Sequence, residues 1–115
     1  MRQVSRPSYR LPLGKTLRRI RESLGWSRDK MARECGVTSY YVRNGEYGDY
    51  EIPVRYIEKV REVTGIDPYV MSYLEYANVS KLPKPVQEKF AAIRKEWERQ
   101  LQFIVRAKTL IPGVW

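Results

Sequence analysis

The sequence contains no histidine and only one cysteine among its 115 residues. Without histidine there is no imidazole general base and no Cys/His set with the spacing of a zinc site. The single Cys35 cannot form a disulfide within the chain. The carboxylates are scattered and no glycine-rich phosphate loop occurs. We therefore predict a protein that is not an enzyme, with no catalytic residue, no metal and no cofactor.

Long apolar runs are also lacking. No stretch approaches the 18 consecutive apolar residues of a membrane-spanning helix, and the basic start of the chain lacks the apolar run of a signal peptide. We expect a cytoplasmic protein that is associated with the nucleoid if it binds DNA, and no membrane partner. The length and the hydrophobic content of 43% suit one compact domain with an appended element.

Positive charge is abundant and lies at the two ends of the chain. The net charge is +9, with +6 in residues 1–25 and +5 in residues 80–115, whereas 26–53 and 54–79 each carry −1. Such an excess favours a polyanionic partner such as nucleic acid.

Residues 1–12 combine three arginines and two prolines without an apolar period, which predicts an extended basic arm. Such an arm follows a phosphate backbone or enters a minor groove, or it is simply a solvated terminus. Both interpretations stay open at this point.

Capping residues and apolar spacing predict five short helices in a domain of residues 13–79. Two of them flank the turn Gly36-Val37-Thr38 and form a helix-turn-helix. In the fifth helix we expect Val70, Tyr73, Leu74 and Ala77 to form the apolar face. The five predicted helices cover about 13–24, 28–35, 39–47, 53–64 and 68–78.

The C-terminal element, residues 80–115, contains a sixth and longer helix. Six apolar residues follow one another there at spacings close to 3.6, which predicts a helix of roughly 30 Å with one apolar stripe. The stripe consists of Val86, Phe90, Ile93, Trp97, Leu101 and Ile104.

Several motifs occur in a fixed order between residues 13 and 75. They are Leu17-Arg18-Arg19-Ile20-Arg21, Ser27-x-x-x-Met31-Ala32, Gly36-Val37-Thr38, Glu46-Tyr47-Gly48 and Pro53. In this order the segment resembles the Cro/repressor-type (XRE-like) helix-turn-helix domains. The resemblance implies an all-α fold, a five-helix DNA-binding domain to which the long C-terminal helix is added.

The resemblance also implies which residues contact DNA bases. In this family the second helix of the pair lies in the major groove, which assigns base contacts to Ser39, Tyr40 and Asn44. The chemistry of the groove allows Arg43 to bind guanine and Asn44 to bind adenine. Because one residue turns a helix by about 100°, a phosphate contact is the alternative for Arg43. Tyr41 is more typical of a packing residue.

Phosphate contacts are expected at the start of helix two, around helix three and in the basic arm. The residues concerned are Arg28, Thr38, Tyr47, Arg6 and Arg10. These contacts position the protein on the duplex but do not read its sequence.

Arg21 and Glu46 occupy the positions of an ion pair that is common in the family, so the resemblance implies a structural pair between helices one and three. Three features depart from the family pattern. Arg61 stands in helix four where relatives usually have a small apolar residue. Gly45 replaces an apolar residue inside helix three, where it costs about 0.5–1 kcal/mol and is expected to end or bend the helix early. The loop 49–51 is acidic where many relatives are basic.

The apolar stripe of the sixth helix predicts dimerisation through Phe90, Ile93, Trp97, Leu101 and Ile104. The alternative is that this stripe packs back on helices four and five of the same chain. Charges of both signs on the polar face argue against a membrane-surface helix. The apolar residues 110–115 either enter a groove of a partner or cover the chain's own core.

Taken together, these features predict a sequence-specific regulator of transcription that binds double-stranded DNA as a homodimer and acts as a repressor. The alternative function is an antitoxin-like interaction module. Such a module would bind a protein partner through its C-terminal helix and would bind DNA for autoregulation.

Overall fold

A computed structural model describes residues 11–47 and 52–109, which form six helices and no strand. The predictions for Arg6, Arg10, the loop 49–51 and residues 110–115 lie outside these residues. The all-α fold predicted from the sequence is confirmed. The helices are α1 Leu13–Ser23, α2 Arg28–Cys35, α3 Ser39–Tyr47, α4 Val54–Thr64, α5 Pro68–Tyr76 and α6 Lys84–Thr109.

The helices begin and end at residues that satisfy free backbone groups. The side chains of Ser27, Thr38 and Asp67 accept hydrogen bonds from amides in the first turns of α2, α3 and α5. Gly36 and Gly65 end α2 and α4 in the left-handed conformation, with φ of 73° and 78°. These local signals explain why the predicted boundaries agree closely with the observed ones.

The core is formed by one face of each of the first five helices, and α6 adds a single buried side chain. α1 packs against α3 and α5, and α2 packs against α3 and α4. The buried cluster comprises Leu17, Ile20, Leu24, Met31, Ala32, Cys35, Val42, Tyr56, Val60, Ile66, Met71 and Leu101.

The start of α1 lies directly against the end of α3. A Cβ atom at Gly14 would lie 2.7 Å from the carbonyl oxygen of Gly45 and 2.8 Å from that of Glu46. Only glycine permits this approach, so Gly14 helps to set the position of α3.

Two expectations from the sequence are wrong. α3 continues through Gly45 to Tyr47 without ending early, because Gly45 is buried against neighbouring helices that hold the backbone in place. In α5, the predicted face is wrong in part: Val70 and Tyr73 are 53% and 54% exposed, whereas Leu74 and Ala77 are half-buried. The fully buried side chains of α5 are Pro68, Met71 and Ser72. The face of α5 that carries these buried side chains packs against α1 and α4.

The apolar stripe of α6 divides into two parts. Leu101 is buried, and Trp97 and Ile104 pack partly against the core of the same chain. Toward the start of the helix, Val86 and Ile93 are 45% and 51% exposed. The later part of the stripe therefore packs within the chain, and the earlier part is left open.

Polar contacts hold α6 to α1 and α5. Arg19 donates to Glu75 at 2.8 Å and to Glu98 at 2.7 Å. The indole nitrogen of Trp97 donates to the same Glu75 at 3.0 Å, and Arg94 donates to backbone carbonyls at the end of α5. α6 thus packs mainly on α5, one of the two helices considered from the sequence, with further contacts to α1 and a hydrogen bond from Lys108 to the carbonyl of Val63 in α4 at 3.2 Å.

Candidate nucleic-acid interface

Four residues of α3 share its outward side. Tyr40, Arg43 and Tyr47 are exposed and Asn44 is half-buried, and their spacing places them on one side of a helix. The opposite side, with Val42, Gly45 and Glu46, is buried. We call Tyr40, Arg43, Asn44 and Tyr47 the reading face.

The predicted base-contacting residue Ser39 lies beside the reading face, toward α2. It is half-buried, and its hydroxyl donates a hydrogen bond to the carboxylate of Asp29. Tyr41 lies on the other side, where its ring meets that of Tyr56 edge to face at 5.3 Å. Tyr41 thus contacts α4 while 36% of it stays exposed, and Ser39 is linked to the preceding helix.

Two arginines surround the ring of Tyr47. The guanidinium carbons of Arg28 and Arg43 lie 5.5 Å and 5.1 Å from the ring centroid. Arg28 and Tyr47, the two residues predicted to bind phosphate, thus lie close together, and Arg43 lies beside them. Thr38 lies at the other end of α3, where its hydroxyl caps the helix.

A buried carboxylate fixes α3 from behind. The side chain of Glu46 is 1% exposed and accepts two hydrogen bonds from Arg21, at 2.5 Å and 3.0 Å. Arg28 lies 3.3 Å from the same carboxylate, and Arg21 also donates to the carbonyl of Trp26 at 2.8 Å. The hydrogen bond to Glu46 raises the pKa of Arg21 above its ordinary value. This cluster ties α1, the start of α2 and α3 together.

An uncharged groove of about 230 Å³ runs beside α3, between that helix and the start of α4. Because it shares Tyr40 and Asn44 with the reading face, it opens next to that face. We call it the lateral groove, and it is lined by Thr38, Tyr40, Tyr41, Asn44, Gly45, Ile52 and Pro53.

The sequence did not predict that Asp29 contacts Ser39 or that Tyr56 contacts Tyr41. It also did not predict that Ile52 lines the lateral groove. Asp29 lies in the first turn of α2, where a negative charge favours the helix. Its position ten residues before Ser39, across a turn between two short helices, is the signal that could have indicated the contact. The groove depends on how α4 packs against α3, which no local pattern encodes.

Cys35 lies in the core and not in a reactive site. Cys35 is 5% exposed, and its sulfur lies 3.6 Å from that of Met31. Burial raises the pKa of the thiol to about 11, which keeps it protonated at neutral pH. Within residues 11–47 and 52–109, no group of three or more acidic or cysteine side chains is placed to hold a metal ion. None of the six helices is long and apolar enough to cross a membrane.

Comparison with known families identifies the fold. Residues 17–70, just under half of the chain, match the family model of the helix-turn-helix domain HTH_3. This segment, which contains α2, α3 and the reading face, belongs to the Cro/C1-type XRE helix-turn-helix family. The match supports a DNA-binding helix-turn-helix regulator. No curated protein and no solved structure matches the sequence.

Proposed function

We propose that this protein is a sequence-specific repressor that covers an operator in double-stranded DNA as a homodimer. The observation that carries the proposal is the reading face, which presents a guanidinium, an amide and two phenol groups on one exposed side of α3. A helix held in this way enters the major groove and meets the base edges.

The side chains that would enter the major groove suit particular chemical groups of the bases. Asn44 is suited to adenine and Arg43 to guanine, each contact contributing about 1–3 kcal/mol of discrimination. Tyr40 offers a hydroxyl group and a ring. Ser39, whose hydroxyl is hydrogen-bonded to Asp29, lies beside these side chains, and its lone pairs suit an exocyclic amino group of adenine or cytosine.

Phosphates are proposed to bind along the edge formed by Arg28 and Tyr47. Arg28 is one-third exposed and is oriented by Glu46 and by the ring of Tyr47, so its guanidinium is already held in place before DNA arrives. Thr38 at the start of α3, and Arg6 and Arg10 of the basic arm, complete the proposed phosphate contacts.

The proposed dimer uses the open part of the α6 stripe. Val86 and Ile93 are exposed, and Phe90 lies 6.0 Å from the half-exposed ring of Tyr73 on α5. Together these residues form an apolar surface over two helices. Since a single small module buries too little surface for tight specific binding, a second copy on an adjacent half-site supplies the rest. Trp97, Leu101 and Ile104 contribute indirectly, by fixing α6 to its own domain.

The test is selection of bound duplexes from a random pool, combined with light scattering at micromolar concentration. The proposal predicts an enriched sequence of two half-sites about one helical turn apart and the mass of a dimer. A monomer that selects one half-site would overturn the dimer, and a pool without enrichment would overturn sequence-specific repression.

A second candidate function, an antitoxin-like module, is favoured by the same apolar surface on α5 and α6. In that case the surface binds a different protein and the chain stays monomeric until the partner is present. Exchanging Ile93 for Ala then leaves the mass of the free protein unchanged. In the homodimer the same variant shifts the mass toward that of the monomer.

A further inference from the structure

An exposed ion pair on α1 lies beside the end of α3. It joins Arg18 to Glu22, with 2.9 Å between the guanidinium Nε and a carboxylate oxygen, and the two side chains are 48% and 53% exposed. Gly14 packs against the end of α3, and Arg18 lies one helical turn further along α1. The hydrogen bond to Glu22 raises the pKa of Arg18, and the nearby charges of Tyr47 and Glu46 add to this effect. Arg18 therefore lies next to the edge that is proposed to bind phosphate.

Glu22 lies among several guanidinium groups. The hydrogen bond from Arg18 lowers the pKa of Glu22, and the positive charges of Arg21 and Arg28 lower it further. Arg21 is 4.0 Å from the same carboxylate oxygen, but its closest partner is the buried Glu46. Of the two carboxylates of this cluster, Glu22 is the exposed one.

The stability of α1 does not explain the position of Glu22. The residue lies in the last turn of the helix, where the helix dipole disfavours a negative charge. An arginine four positions before a glutamate is also the less favourable order for such a pair, and exposed pairs add little to protein stability. What Glu22 does change is the charge beside Arg28 and Tyr47.

A carboxylate and a phosphate offer arginine the same kind of partner. Both present negatively charged oxygens that accept two parallel hydrogen bonds from a guanidinium group. A DNA backbone that binds at Arg28 also approaches Glu22, because these two residues are close enough for their charges to interact. Two negative groups then meet at one exposed guanidinium, that of Arg18.

We propose that Arg18 is a further phosphate-contacting residue and that Glu22 competes with the DNA backbone for it. This inference rests on the proposed function. In the free protein Arg18 binds Glu22, and on the duplex it exchanges this carboxylate for a phosphate. Because phosphates carry no sequence information, the competition lowers the affinity for every duplex by a similar factor. Glu22 thus limits the backbone affinity of a chain with a net charge of +9 and leaves selectivity to the reading face.

The test is a double-variant cycle with Arg18→Gln and Glu22→Gln, made singly and together. Fluorescence anisotropy measures the affinity for the selected duplex and for a scrambled duplex across a salt series. At low salt, Glu22→Gln should bind both duplexes about threefold to fivefold more tightly. Arg18→Gln should weaken both and reduce the slope of log affinity against log salt by about one. In the double variant the gain from Glu22→Gln should be absent.

The matched control is the same cycle on Arg99 and Glu96, an exposed ion pair of α6 at 2.7 Å. Each control variant changes the net charge by the same amount as its counterpart on α1 and should leave the affinity and the slope nearly unchanged. Because all the variants change exposed side chains, their thermal unfolding should stay close to that of the unaltered protein.

Two results would overturn this inference while the proposed function stands. One is a Glu22→Gln protein that remains selective but binds no more tightly than Glu96→Gln. The other is a gain from Glu22→Gln that persists when Arg18 is replaced, which would make Glu22 a simple repulsive charge. A lack of selectivity in the unaltered protein, by contrast, contradicts the proposed function itself.

Discussion

At the residue scale, the carboxylate of Glu46 determines how firmly α3 is held. Replacing Glu46 by Ala removes the close partner of the Arg21 guanidinium, which is 8% exposed, and leaves it the exposed carboxylate of Glu22 at 4.0 Å. We expect the free energy of unfolding to fall by about 3–5 kcal/mol, measured by urea denaturation.

The matched control for Glu46 is Glu34→Ala, which removes an exposed carboxylate paired with Lys30 at 3.6 Å. Its cost should stay below about 1 kcal/mol. A Glu46→Ala protein with unchanged unfolding but lost DNA binding would contradict the structural role and make Glu46 a contact to DNA.

Two glycines lie on either side of the contact between α1 and α3, and replacing each by alanine should change the stability of the protein in opposite directions. Gly14→Ala forces a methyl group against the backbone oxygens of Gly45 and Glu46, which can only move with α3, so we expect a loss of about 1–3 kcal/mol. Gly45→Ala meets no such obstacle and should gain about 0.5–1 kcal/mol from helix propensity. Thermal unfolding of both variants checks this, and a reversed order would show that the packing of α1 on α3 is described wrongly.

At the element scale, α6 combines a packed part and an open part. Leu101→Ala creates a cavity in the core and should lower the free energy of unfolding by about 2–5 kcal/mol. Ile93→Ala changes an exposed side chain and should leave the unfolding of the monomer within about 0.5 kcal/mol, while weakening dimerisation.

Denaturation at a concentration where the chain is monomeric, followed by sedimentation at higher concentration, separates the two effects. If Leu101→Ala proved harmless to the monomer, α6 would not pack as described. If Ile93→Ala left the dimer intact, the open part of the stripe would not be the interface.

The sequence predicted the helices well but not all of their faces. Capping by Ser27, Thr38 and Asp67 is a local property, so the boundaries could be inferred from neighbouring residues. Which side of a helix is buried depends on distant elements. For this reason α5 buries Met71 instead of Val70.

The same distinction applies to the candidate interface. The placement of Tyr40 and Asn44 on one side of α3 follows from helical spacing and could be predicted. The hydrogen bond from Ser39 to Asp29 and the groove between α3 and α4 depend on tertiary packing, which the sequence pattern alone does not specify.

At the scale of the whole molecule, the charge of +9 governs how affinity depends on salt. If Arg6 and Arg10 each neutralise a phosphate, replacing both by Ala should reduce the slope of log affinity against log salt by about two, with unchanged selectivity between sequences. Fluorescence anisotropy across a salt series measures this slope.

The matched control replaces Lys89 and Lys95, two exposed residues of α6, by Ala. It removes the same charge and should leave the slope nearly unchanged. An equal effect of both double variants would mean that net charge, and not contact by the arm, sets the salt dependence.

The central claim, that the reading face of α3 recognises a DNA sequence, is tested most directly by one measurement. The affinity for the selected duplex is compared with that for a scrambled duplex as salt rises, for the unaltered protein, Asn44→Ala and the control Arg61→Ala, which changes an exposed arginine of α4. We predict that selectivity persists at high salt, falls about tenfold to a hundredfold in Asn44→Ala and is retained in Arg61→Ala. If both affinities instead collapse together and Asn44→Ala changes nothing, charge alone holds the DNA and the account is contradicted.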